Sequence, residues 1–160
     1  NNAWTGTLPT ELGLLTALVT LNATNSTLIG TIPTGLGRLT ALTFLDVSMN
    51  RLTGTLPTEF GNMWVLSSLN ISRNALTGTL PTQLSRLKNL TEFMFHGNIL
   101  TGSGNAALCV DANSVLQHSW QILQGDCLSD ENGDVEIECS CCTVCCEFNG
   151  SMCITLDLQG

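Results

Sequence analysis

The chain has 160 residues, of which 43% are hydrophobic and only 11% are charged, and its formal net charge is −8 at pH 7. This length indicates one domain, or one domain with a small appendage. The acidic balance, with five basic residues in all, argues against a nucleic acid or an anionic membrane as partner. No run of about 18 apolar residues occurs, so a membrane-spanning segment is not expected.

A repeat of 24 residues organises the first two thirds of the chain. Five glycines lie 24 residues apart, namely Gly6, Gly30, Gly54, Gly78 and Gly102. The four prolines of the chain share that period, at Pro9, Pro33, Pro57 and Pro81. The apolar residues between Leu36 and Leu56 also recur one period later, between Phe60 and Leu80. Such self-similarity predicts a solenoid in which each unit stacks on the next.

Each repeat is predicted to contain two short extended stretches and a tight return path. Around Leu45 and Val47 the side chains alternate, which predicts a short strand with these two residues buried. A second extended stretch follows at 52–56, and leucines at spacing three after the proline predict a 3₁₀-like return. A ladder of amides is expected to satisfy backbone groups at the turns, formed by Asn2, Asn50, Asn74 and Asn98, with Ser26 substituting once.

The phrase Leu42-x-x-Leu45-x-Val47-x-x-Asn50-x-Leu52-x-Gly54-x-Leu56-Pro57 resembles the plant-type extracellular leucine-rich repeat. The resemblance covers roughly residues 1–104. It implies an α/β-type repeat solenoid, a right-handed leucine-rich-repeat superhelix with a parallel concave sheet and a short second sheet. Residues 105–160 are then expected to form a cysteine-rich C-terminal cap, with a short helix at 111–118 and a last strand at 120–123.

The N-terminal end is expected to be an open edge. Residue 1 lies halfway through a repeat, so an N-terminal cap is missing from the pattern and Trp4 and Leu8 are expected to be uncovered. Unpaired strand edges combine readily with other chains. We therefore expect upstream residues, or another copy of the chain in a head-to-tail filament, to cover this end.

The cysteines predict an oxidising environment. All eight lie after residue 108, in a segment without lysine or arginine, at Cys109, Cys127, Cys139, Cys141, Cys142, Cys145, Cys146 and Cys153. An even, crowded set of this kind favours disulfides and a secreted or cell-surface protein, although the pairing stays open among 105 possibilities. The run from Cys139 to Cys146 is similar to the cysteine cluster that closes leucine-rich-repeat proteins of diatoms and related algae.

Two metal sites are alternatives to this interpretation. The thiolates between Cys139 and Cys146 could bind zinc, but two adjacent cysteine pairs favour disulfides. Asp130, Asn132, Asp134 and Glu136 resemble a fragment of a calcium loop, and a solvated acidic turn explains them better. No metal or cofactor is therefore expected.

Five N-glycosylation sequons occur, with acceptors Asn22, Asn25, Asn70, Asn89 and Asn149. Asn70 and Asn89 are the strongest candidates, because both lie at positions outside the repeat core. Asn22 and Asn70 share one strand position on the concave face. Glycans there would fill part of the groove that a protein ligand needs, which favours a scaffold over a receptor.

Outward-facing positions of the concave strands are the candidate binding surface, and they include Phe44, Asp46, Arg73, Glu92, Met94 and His96. Because most of these outward-facing positions are small and polar, a solvated face without a specific ligand is an equal alternative. An enzyme is not expected, because His96 and His118 lie in different segments and neither belongs to a catalytic motif.

The leading functional hypothesis from sequence is a non-enzymatic, glycosylated extracellular scaffold or adhesion component of a cell surface, wall or matrix. Its expected partners are a protein, a glycan or another copy of itself. One alternative is a ligand-recognition module, such as a receptor ectodomain or an inhibitor of a secreted enzyme. A second is ice binding, since the Thr-Gly-Thr phrases could project stacked threonine ladders from neighbouring strands.

Overall fold

The computed structural model describes residues 4–103, 122–125, 137–138, 144–146 and 153–155. Each repeat contributes one strand to each of two sheets and one 3₁₀ helix between them. The strands are β1 Thr5–Thr7, β2 Thr20–Asn22, β3 Thr27–Thr31, β4 Phe44–Asp46, β5 Arg51–Gly54, β6 Ser68–Asn70, β7 Ala75–Gly78, β8 Glu92–Met94, β9 Ile99–Leu100, β10 Gly102–Ser103, β11 Ile122–Gly125, β12 Ile137–Glu138, β13 Val144–Cys146 and β14 Cys153–Thr155. The 3₁₀ helices are η1 Thr10–Leu14, η2 Thr34–Arg38, η3 Thr58–Asn62 and η4 Thr82–Arg86.

The larger sheet, called the concave sheet below, has seven strands in the order β14-β13-β11-β8-β6-β4-β2. All its neighbours are parallel except β14, which is antiparallel to β13. The second sheet has five parallel strands in the order β1-β3-β5-β7-β9, and β10 pairs separately with β12. The predicted repeat solenoid with parallel strands in two sheets is thus confirmed.

The concave sheet keeps the register that the repeat predicts. Thr20 pairs with Phe44, Phe44 with Ser68 and Ser68 with Glu92, a step of 24 residues each time. Beyond the repeats the sheet continues, because Ile122 pairs with Glu92. The last predicted strand is present as β11, Ile122–Gly125, and residues 120 and 121 of the prediction lie outside the described residues. The predicted helix at 111–118 and the junction at 104/105 lie outside the described residues.

The second sheet has a different register, which bears on the ice-binding hypothesis. Its paired residues are 22 positions apart, so equivalent threonines of successive repeats are not direct neighbours. Thr5 pairs with Thr27 and Thr31 with Thr53, but these pairs do not continue along the sheet. Ile29 pairs with both Thr7 and Arg51, Thr53 pairs with Ala75, and Thr77 pairs with Ile99. The Thr53 hydroxyl also donates to the Gly30 carbonyl over 3.3 Å. The regular threonine array that ice binding requires is not supported.

The core is one continuous column of apolar side chains between the sheets. Its members are mainly leucines at equivalent positions, and Leu45 and Val47 are fully buried as predicted. Leu8 also belongs to this core and is only 5% exposed, so the expectation that it lies uncovered is wrong. Its equivalents Ile32, Leu56 and Leu80 are buried too, because the core and the following repeat cover this position. Trp4, by contrast, is 43% exposed.

The amide ladder forms as predicted at Asn50, Asn74 and Asn98, whereas Asn2 lies outside the described residues. The Asn50 side chain donates to the carbonyls of Ala23, Val47 and Ser48, and its oxygen accepts the Leu28 N–H over 3.0 Å. Asn74 and Asn98 repeat the arrangement one and two periods later. Each such side chain therefore satisfies backbone groups of two successive repeats where the chain leaves the concave sheet.

Candidate functional site

The structure brings the six predicted concave residues together on neighbouring strands. Phe44 and Asp46 lie on β4, and Glu92 and Met94 lie on β8. Cross-strand pairing aligns Phe44 with Glu92 through Ser68, and Asp46 with Met94 through Asn70. Arg73 and His96 follow the ends of β6 and β8, and the Arg73 N–H donates to the His96 carbonyl over 2.8 Å.

Hydrogen-bonded polar pairs cover the second and third repeats of this face. In the second repeat the Ser48 N–H and hydroxyl both donate to Asp46 Oδ1, over 2.9 and 2.6 Å. In the third, the Ser72 N–H and hydroxyl donate to Asn70 Oδ1, over 3.1 and 2.7 Å. Asn70 Nδ2 donates to Asp46 Oδ2 over 3.3 Å, which links the two pairs. This strip is internally satisfied.

The pattern changes in the fourth repeat. Met94 stands at the position of Asp46 and Asn70, and His96 stands at the position of Ser48 and Ser72. A thioether is at most a weak acceptor, so Met94 is a poor substitute for Asp46 or Asn70. His96 is only 7% exposed, yet its buried Nδ1 has no hydrogen-bond partner among the residues that the structure describes. A buried polar atom of this kind is uncommon and requires a specific explanation. The fourth repeat therefore differs chemically from the three before it.

The electrostatics of this position follow from its surroundings. Burial, and secondarily the positive charge of Arg73, lower the pKa of His96 from 6.5 to about 4. The imidazole is therefore neutral at pH 7. A neutral imidazole presents one N–H donor and one nitrogen acceptor. His96 can thus form a hydrogen bond with a neutral polar group without carrying a charge of its own.

The six residues of the predicted binding surface differ in solvent exposure. Phe44, Asp46, Glu92 and Met94 are half-buried, and Arg73 is exposed. His96 is buried, although alternation along the strand assigns it to the same face as Glu92 and Met94. The equivalent Ser48 and Ser72 are also buried. In a tightly paired parallel sheet, the side chains of adjacent strands shield one another.

The sequence analysis did not predict a row of residues with left-handed backbone conformation, that is with positive φ, along the edge of this face. The φ angles are 49° at Asn25, 56° at Met49, 54° at Arg73 and 67° at Gly97. Asparagine and glycine suit this conformation, whereas methionine and arginine adopt it at a cost. Asn25 and Gly97 stand at equivalent positions of the repeat, and this periodicity could have predicted the left-handed row. The buried Oγ of Ser68 has no hydrogen-bond partner among the described residues, and no sequence pattern predicts this.

The predicted glycosylation sites fall in different environments. Asn22, Asn25 and Asn89 are exposed, while Asn70 is half-buried within the polar strip. Asn149 lies outside the described residues. Whether any of them carries a glycan stays a prediction.

The cysteine region is described only in part. Cys145 and Cys146 lie on β13 and Cys153 on β14, and the backbone register pairs Cys146 with Cys153. The predicted disulfides, the alternative zinc site and the calcium-loop fragment all lie outside the described side chains. Among the residues that are described, no helix is both long and apolar enough to cross a membrane.

The N-terminal edge exposes apolar side chains. Leu15 is 52% exposed, whereas its equivalents Leu39, Met63 and Leu87 are fully buried by the preceding repeat. Leu14 and Val19 are 68% and 53% exposed in the same region. Self-association through this edge stays a prediction, which sedimentation velocity at increasing concentration can check.

Comparison with known proteins agrees with this architecture. A family model described as Leucine Rich Repeat matches residues 41–63 and 65–87. No curated protein matches the chain. None of these findings bears on the similarity of the cysteine run to algal proteins, which stays a prediction.

Among solved structures, the chain is similar to the BIR2 ectodomain from Arabidopsis thaliana, with 29% identity and a TM-score of 0.63, covering 72% of this chain and 62% of that one. The BIR3–SERK2 complex from Arabidopsis thaliana has 29% identity and a TM-score of 0.64, and the match covers 82% of this chain and 68% of that one. The plant peptide hormone receptor RGFR1 in complex with RGF2 has 34% identity and a TM-score of 0.62, and the match covers 76% of this chain and 20% of that one. The chain thus spans between about a fifth and two thirds of these proteins. It contains leucine-rich repeats and folds as a leucine-rich-repeat solenoid similar to plant receptor ectodomains.

Proposed function

We propose that the protein is an extracellular recognition module that binds a peptide or protein partner on its concave sheet, around the fourth repeat. The observation that carries this proposal is the change from polar pairs that satisfy each other to Met94 and His96, whose buried Nδ1 has no partner within the described part of the chain. The similarity to plant receptor ectodomains, one of them in complex with the peptide hormone RGF2, supports it. The same similarity gives no support to the scaffold hypothesis.

The chemistry of the surface indicates what the partner must present. Phe44 and Met94 offer half-buried apolar contacts, and aromatic and methionine side chains are enriched in the centres of interfaces. Glu92 adds a negative charge beside them. Neutral His96 is suited to a hydroxyl or an amide rather than to a charged group. An extended segment with an apolar side chain and an adjacent neutral hydrogen-bonding group fits these requirements.

The strip of Asp46, Ser48, Asn70 and Ser72 has a different role in this proposal. Its polar atoms are already paired with one another. Replacing a made hydrogen bond by one to a ligand gains little free energy. The strip therefore supports the backbone geometry of the sheet, and the partner's binding energy comes from the neighbouring fourth repeat.

The experiment uses a phage-displayed library of random 12-residue peptides, selected against the immobilised full chain. Peptides that bind are then measured against Met94→Ala and His96→Gln. We expect a loss of affinity of about tenfold or more for at least one of these variants, because anchor residues carry most of the energy of an interface.

The matched control is Trp64→Ala, which removes an exposed aromatic residue outside the concave strands. Thermal melting checks that each variant is folded. If no peptide is enriched, or if Trp64→Ala weakens binding as much as the concave variants do, the proposed site is wrong.

A further inference from the structure

We propose that Asn89 carries an N-linked glycan whose first sugar packs against the indole ring of Trp64. The inference does not depend on the proposed ligand site. It rests on the contact between these two residues and on their exposure.

Asn89 and Trp64 are neighbours on successive repeats. Asn89 Nδ2 donates a hydrogen bond to the Trp64 carbonyl over 3.1 Å, and Asn89 is exposed. The Trp64 side chain is 62% exposed, the largest aromatic surface among the described residues. A sugar attached to Asn89 Nδ2 would therefore begin next to the backbone carbonyl of the residue that carries this uncovered indole. The apolar face of a hexose is a suitable partner for an aromatic ring.

The turn that presents Asn89 is firmly anchored. Leu87 and Leu90 on either side are 0% and 1% exposed, and the Leu90 N–H donates to the Leu87 carbonyl over 3.0 Å. The hydroxyl of Thr91, the third residue of the sequon, donates to the Ser67 carbonyl over 3.3 Å. The buried leucines hold Asn89 outward, so an attached glycan projects into solvent without disturbing the core.

The position of Asn89 is distinctive within the repeat. The equivalent residues one and two periods earlier are Val65 and Ala41, which are half-buried and apolar. Among residues 4–103, an exposed asparagine with a threonine two residues later stands at this position only in the fourth repeat. An attachment site explains this choice.

The other described sequons compare less favourably. Asn70 Oδ1 accepts two hydrogen bonds from Ser72, and Asn70 Nδ2 donates to Asp46. A glycan at Asn70 would have to rise from the middle of the concave sheet through this network. Asn89 precedes β8, which begins at Glu92, so its glycan leaves the concave strands accessible.

The chemical step is a transfer from a lipid-linked oligosaccharide pyrophosphate, the co-reactant of the secretory pathway. Asn89 Nδ2 forms a bond to the anomeric carbon of the first sugar, and the bond from that carbon to the pyrophosphate oxygen breaks. One Nδ2 proton is lost, and the lipid pyrophosphate leaves. The amide nitrogen keeps one hydrogen, which is still able to donate to the Trp64 carbonyl.

Occupancy is tested on the full chain secreted from plant or insect cells. Removal of N-glycans by a glycosylamidase in ¹⁸O water converts each occupied asparagine to a labelled aspartate, which peptide mass spectrometry locates. We expect the label at Asn89 and its loss in Asn89→Gln. Secreted, folded protein with unlabelled Asn89 overturns the proposal.

Packing on Trp64 is tested by acrylamide quenching of tryptophan fluorescence before and after glycan removal. We expect removal to increase quenching and to lower the melting temperature by about 2–4 °C, the shift expected for about 1 kcal/mol. In Trp64→Phe, which leaves the other tryptophans in place, quenching should not respond to glycan removal. An equal response in both proteins shows that the sugar does not cover Trp64 and overturns that half of the proposal.

Discussion

The Asn74 side-chain amide donates a hydrogen bond to the carbonyl of Val47, in the preceding repeat, over 3.1 Å. Further bonds run to the carbonyls of Ile71 and Ser72, and Asn74 Oδ1 accepts the Leu52 N–H over 3.0 Å. A single side chain therefore satisfies four backbone groups in two repeats. Since each repeat stacks only on its neighbours, these bonds connect the units that must remain in register.

The first prediction concerns this ladder. Asn74→Ala should lower the free energy of unfolding by about 2–4 kcal/mol, because several buried backbone groups lose their partners at once. Urea denaturation followed by circular dichroism measures the change. Asn62→Ala, at an exposed position, should stay within about 0.5 kcal/mol of wild type. Equal destabilisation by the two substitutions would contradict the role assigned to the ladder.

The second prediction concerns the close approach of η3 and η4. A Cβ added at Gly61 would lie 2.7 Å from the Gln83 carbonyl oxygen and 2.8 Å from Gln83 Cβ. Because the first of these atoms belongs to the backbone, Gly61→Ala should destabilise the protein by about 1–3 kcal/mol. Thermal melting measures the loss.

The matched control uses Ser85, the residue at the equivalent position one repeat later. A side chain is already present there, so Ser85→Ala should change the melting temperature little. A neutral result for Gly61→Ala would show that the two turns can separate without cost.

The third prediction concerns pH. The pKa of His96 is about 4 in the folded protein and 6.5 in the unfolded chain. Between these values the unfolded state binds more protons, so stability falls as the pH is lowered from about 6.5 to about 4. Melting temperatures measured across this range should decrease less in His96→Gln, which does not titrate. Identical pH profiles for the two proteins would exclude a buried neutral histidine.

Arg73→Gln provides a second test of the same environment. It removes the positive charge that contributes to the low pKa of His96, so that pKa should rise. Burial is the larger cause, and the pKa should therefore stay below 6.5. NMR titration of the imidazole protons measures both values.

The fourth prediction concerns the eight cysteines. We expect all of them to be oxidised, because an even, crowded set in a segment without basic residues is typical of disulfides. Mass measurement after alkylation in denaturant without reductant should find no labelled thiol. Labelling of four or more thiols, especially after chelation, would instead favour the zinc site.

The sequence by itself determined the repeat period, the buried leucine positions, the asparagine ladder and the 3₁₀ return. These features depend on residue type at a fixed spacing, and a 24-residue period repeats the same local choice in each unit. Phe44, Glu92 and Met94 could be placed on one face for the same reason, because alternation along a strand assigns the side of the sheet.

Only the tertiary structure decided the features that depend on contacts between units. The burial of Leu8 results from the repeat that follows it, and the 22-residue register of the second sheet results from the stagger between stacked units. The isolation of His96 Nδ1 depends on what its neighbours can accept or donate. Periodicity specifies which way a side chain points, but its burial and hydrogen bonding depend on the atoms that adjacent strands bring within reach.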